Sequence, residues 1–118
     1  MDSILNTIKK LLGIQKEYDY FDQDLIIHIN STFMILNQLG VGPSDCFTIK
    51  DDKATWDDFI PNNKNLESLK TYVYMRVKLM FDPPLSSVVM EANNRMIDEL
   101  TFRLLTEAST EKKSEESE

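Results

Sequence analysis

The chain has 118 residues and a formal net charge of -7, with 42% hydrophobic and 28% charged residues. That length supports one domain with a real core and is short for two, and the composition is that of a folded chain. A lone cysteine, Cys46, excludes an internal disulfide; no apolar run approaches the roughly 20 residues of a membrane span and no leader is read at the start, so a cytosolic protein without membrane contact is expected.

Residues 2–12, DSILNTIKKLL, place Ile4, Leu5, Ile8, Leu11 and Leu12 on one helical face, with Asp2 or Ser3 to cap and Gly13 to end the helix. So short a helix must dock on something, either its own domain's core or a neighbouring subunit. After a linker with Tyr18, Tyr20 and Phe21 as anchors, DQDLIIHINSTFMILNQL (22–39) carries Leu25, Ile29, Phe33, Leu36 and Leu39 on one stripe, and Gly40 offers a left-handed stop. Ile26, Ile27, Met34 and Ile35 widen that stripe, which predicts a second helix buried on two sides. His28, the sole histidine, has no ligand partner at metal spacing and reads as a core-edge residue; Asn30, Asn37 and Gln38 read as polar positions on an apolar helix, or as groups that satisfy a partner across an interface.

Residues 41–63 break the helical pattern and predict a long ordered loop or a short β-hairpin, with Cys46 to Ile49 strand-like and Thr55-Trp56 as a possible return. Trp56, Phe47 and Phe59 either pin this loop to the helices or form a docking surface. Asp51, Asp52, Asp57 and Asp58 fall as adjacent pairs without the alternating oxygens, glycine and closing glutamate of a calcium loop, so they are assigned to a turn and to a helix start.

Residues 65–81 form the central helix of the reading. Leu66, Leu69, Val73, Val77 and Met80 make its core stripe, and Tyr72, Tyr74, Met75, Leu79 and Phe81 cover much of the remaining circumference. Asn63 or Asn65 is placed to cap it. Lys70, Arg76 and Lys78 are expected to be solvated or paired with acids. Pro83 and Pro84 stop it, and a fourth helix folds back antiparallel with Leu85, Val89, Met96, Leu100 and Leu104 on one stripe, flanked by Val88, Ile97 and Leu105. From Glu107 the sequence EASTEKKSEESE predicts a disordered acidic tail. The expected organisation is therefore a mostly α, small helical bundle over 1–106 and a tail over 107–118.

Charge is unevenly spread: residues 1–20 sum to zero, 21–60 to -5, 61–106 to +1 and 107–118 to -3. Such a surface argues against tight binding to a phosphate backbone, which needs clustered Lys and Arg, and so disfavours a small DNA-binding bundle. With glycines only at 13, 40 and 42 there is no phosphate-cradling loop, and no nucleophile elbow or zinc signature appears; no enzyme and no cofactor or metal are expected. From the residues alone a generic helical protein-interaction module remains open.

KTYVYMRVKLMFDPP (70–84), together with LNQLGVGP (36–43) and TWDDFI (55–60), resembles the head-tail connector family of long-tailed bacteriophages, over about residues 1–106 in the same order. The resemblance implies a helical-bundle adaptor of a phage or prophage. It further implies about a dozen copies in a ring under the portal, a heterologous contact repeated until it closes. Implied partners are the chain itself, the portal protein and the next tail or neck protein, with genome DNA passing through the channel without specific binding. On this basis the loop residues Phe47, Trp56, Asp57, Asp58 and Phe59 and the first-helix residues Ile4, Ile8 and Leu11 are candidate lateral or tail-side contacts. Glu107 and the tail, or the end of the fourth helix, are directed towards the portal.

Overall fold

The computed structural model describes residues 3–43, 45–60 and 66–116, the stretch 107–116 as backbone path only. Among the described residues there are five helices: α1 (Ile4–Leu12), α2 (Asp22–Gln38), α3 (Trp56–Phe59), α4 (Leu66–Phe81) and α5 (Ser87–Glu116). The expected mostly α bundle is the observed architecture. Of the two forms expected for the segment between the second and third main helices, the long loop is the one adopted. It holds the one-turn α3, and Thr55, the expected start of a returning strand, instead makes an isolated antiparallel bridge with Ser3.

The helix ends follow local chemistry. Ser3 caps α1 by accepting a hydrogen bond from the Asn6 N–H. Gly13 ends it at φ +81°, where the Gly13 and Ile14 amides reach back to the Lys10 and Lys9 carbonyls. Gly40 at φ +82° follows α2 in the same left-handed conformation. At α3 the Asp58 N–H donates to Thr55 Oγ1 and the Thr55 N–H to Asp58 Oδ2, a reciprocal capping box that accounts for the Asp57-Asp58 pair at a helix start. Asp51 occupies the expected turn, accepting from the Lys53 N–H. The expected caps of α4, Asn63 and Asn65, lie outside the described residues.

α4 is the centre, packed by α1, α2 and α5. Leu69, Val73 and Val77 of its predicted stripe are fully buried and Leu66 is half-buried, whereas Met80 is exposed. Of its cations, Lys70 lies 3.8 Å from the acid Glu67, as one of the two expected arrangements has it, while Arg76 donates to the Tyr72 hydroxyl and covers that ring, and Lys78 sits over Tyr74. Each tyrosine stands one helical turn before its cation, within reach of it.

The loop is pinned from within. Phe33 stacks on Phe59 with centroids 4.5 Å apart, Phe47 packs edgewise on Phe33 and tilted against Phe59, and Trp56 is buried with its Nε1 donating to Thr7 Oγ1. The Ile4 N–H donates to the Ala54 carbonyl, tying the start of α1 to the same loop. At the other end of α1, Lys9 is 1% exposed; its Nζ lies 2.9 Å from Asp22 Oδ1 and donates to the Lys16 carbonyl. One ammonium therefore joins α1, the linker and the first turn of α2. His28 is half-buried at the core edge, its ring facing Phe81.

α5 departs from the sequence expectation. It begins at Ser87, with Ser86 Oγ accepting from the Val89 N–H, and runs through Glu116, so its backbone continues into the segment expected to be a tail. The side chains of 107–118 lie outside the described residues. Of its predicted stripe only Leu100 and Leu104, with the flanking Ile97, are buried; Leu85, Val88, Val89, Met96 and Leu105 are exposed. The correction has a simple cause: α5 packs chiefly on α4, and its first turns meet no second surface.

Candidate functional interface

The residues singled out from sequence divide by burial. Ile4, Ile8, Trp56 and Phe59 come together inside the domain, each 2% exposed or less, and Phe47 is half-buried against Phe33 and Phe59. Their side chains pack on their own chain. Leu11 stays 46% exposed, and Asp57 and Asp58 are exposed at the start of α3. The Glu107 side chain lies outside the described residues. What faces outward from the α1–loop region is thus a polar rim with one leucine.

The larger unpartnered apolar surface lies elsewhere. On α2, Ile27 and Met34 are 61% and 57% exposed, two turns apart, with exposed Ser31 between them. They sit on the side of the helix opposite Leu25, Ile29 and Leu36, which are buried. Just before α5, Leu85 is fully exposed; on α5, Val88 is 74% exposed, and Val89 and Met96 continue the surface around Ala92. These side chains lie beside the face that packs on α4. α2 and α5, which both pack on the central helix, therefore each leave an apolar face exposed.

Sequence reasoning treated all of these as core, since a 3.6-residue period reports that a face is apolar and not what covers it. The available signal was excess: α2 has more apolar residues than one face needs, and α5 has a stripe running from Leu85 to Leu104 that one helical neighbour cannot cover. Exposed apolar patches on this scale mark surfaces for other proteins or membranes. Among the described residues no helix is long and apolar enough to cross a membrane.

No curated protein and no solved structure compared with the chain gives a significant match. The family model described as phage connector protein matches residues 4–111, a span that takes in α1 to α4, the pinned loop and α5 as far as residue 111. A helical domain with apolar faces left open on two sides, matched to that model over nearly its full length, belongs to the phage connector protein family.

Proposed function

We propose that this chain is a head-tail connector subunit of a bacteriophage or prophage. Copies form a ring beneath the portal, join it to the next tail or neck protein, and leave a channel through which the genome passes. The function is assembly, without covalent chemistry or a cofactor, and its place is the head-tail junction of the virion after assembly in the host.

The observation that carries this reading is the pair of apolar faces, Ile27 and Met34 on α2, and Val88, Val89 and Met96 on α5 with Leu85 just before it. Ring closure is heterologous: each subunit must offer two different surfaces, one to each neighbour. A weak pair of surfaces is sufficient once several copies sit on a symmetrical platform, since the platform raises their effective concentration. A net charge of -7 suits a surface past which DNA moves without being held.

The test is mass by light scattering together with electron microscopy, on the protein alone and mixed with the portal encoded beside it. A ring seated on the portal is expected. A chain that stays monomeric and ignores the portal at high concentration would remove the adaptor reading.

A further inference from the structure

A groove of about 490 Å³ lies between α1 and the start of α4. Lys10, Lys16 and Lys70 line it together with one acid, Glu67, and the half-exposed Leu11 provides apolar surface beside Asn6 and Thr71. A second concavity of about 390 Å³ continues past Gly13, again along Lys10 and Lys16. Lys10 and Lys16 are exposed, while Lys70 is mostly covered and lies 3.8 Å from Glu67. On a chain of net charge -7, this is a concave surface on which, among the described residues, cations outnumber acids.

The opposite charge is carried by the end of α5. That helix has 30 residues and is about 45 Å long at 1.5 Å per residue. Among the described side chains of α5 the last buried one is Leu104, and about 18 Å of helical backbone, to Glu116, follows it. Residues 107–118 carry five glutamates against two lysines. The arm thus carries the charge complementary to that groove.

We infer that the acidic arm, residues 107–118, docks in the lysine-lined α1–α4 groove of a second copy of the chain. The inference rests on the self-association proposed above and gives that contact an electrostatic component. It assigns the arm to the neighbouring subunit, where the sequence had directed it to the portal. Lys10 and Lys16 supply the cations, and Leu11 gives the arm apolar contact.

The test is sedimentation of the full chain over a concentration series at low and high salt, with charge reversal on each side. Lys10→Glu with Lys16→Glu, or Glu111→Lys with Glu115→Lys, is expected to weaken self-association about tenfold, and high salt to weaken the wild type similarly. Combining the two pairs is expected to restore association to within a few-fold of wild type. Groove reversal without effect, or no recovery in the combined variant, overturns the inference; so does a wild type that stays monomeric throughout. Recovery seen in the melting temperature of a monomer instead of in mass would place the arm in its own groove and also overturn it. The adaptor reading is judged separately by seating on the portal: reversed-groove protein that associates and seats like wild type removes the groove contact and leaves the connector standing.

Discussion

Asn30 of α2 treats Ile49 as a strand would treat its partner: Nδ2 donates to the Ile49 carbonyl at 2.9 Å while Oδ1 accepts from the Ile49 N–H at 2.8 Å. One side-chain amide thus satisfies both backbone groups of a buried loop residue, in a segment with no sheet to do so. Asn30→Ala leaves that donor and acceptor without partners and is expected to cost about 2 kcal/mol in urea unfolding. Limited proteolysis should detect the same change as faster cutting near residues 45–53, because the loop loses its tether on α2. Unchanged stability and cutting would mean that the aromatic contacts alone hold the loop.

Two of the three glycines at positive φ, Gly13 and Gly42, should respond unequally to alanine. Gly13 has open space where a Cβ would stand, so Gly13→Ala meets only the left-handed backbone penalty, about 1 kcal/mol. At Gly42, φ +90°, the new Cβ would lie 2.5 Å from Phe59 Cε2, and that ring is buried and stacked on Phe33. Gly42→Ala is expected to lose about 3 kcal/mol, the conformational penalty plus overpacking. Thermal melts of the two variants side by side check the order.

Lys9 should be sensitive to the removal of either partner. Lys9→Met leaves Asp22 beside the core without its cation and is expected to destabilise by about 2 kcal/mol, less than a fully buried pair because Asp22 is 25% exposed. Lys9→Met with Asp22→Asn removes both charges and should regain much of that loss. Denaturant titration of the single and double variants decides; a double variant no better than the single would place the contribution of Lys9 in its bond to the Lys16 carbonyl.

On α5, Val89→Asp with Met96→Asp changes two exposed side chains. The monomer's melting temperature should move little, since surface substitutions usually stay within about 0.5 kcal/mol. Ring formation and portal seating should fall by at least tenfold, as a carboxylate buried in a contact without a partner is strongly unfavourable. Met34→Asp on α2 should give the same phenotype from the facing surface. Wild-type assembly in both variants would exclude these faces from the ring.

Much of the fold was legible before any coordinates. The periods of α2 and α4, the Ser3 cap, the Gly13 and Gly40 stops and the break at Pro83-Pro84 were all read directly, because each depends on residues within one or two helical turns. The pinning role of Trp56, Phe47 and Phe59 was among the two readings that the sequence allowed, and their packing on Phe33 and α1 selects it inside the domain. Lys9 shows a missed signal: it lies four residues after Leu5 and three before Leu12, on the apolar face, where a long cation must be buried and paired.

By itself, then, the sequence determined where helices start, stop and turn apolar. The tertiary structure alone decided which apolar faces are covered. Leu100 and Leu104 are buried while Val89 and Met96, on the same predicted stripe, stay about half exposed. It also decided that Asn30 is satisfied by Ile49, 19 residues away, and that lysines from α1, the linker and α4 share one groove. The physical reason is range. Helical period and capping are set by neighbours along the chain, whereas burial and charge convergence depend on which distant segments the fold brings together.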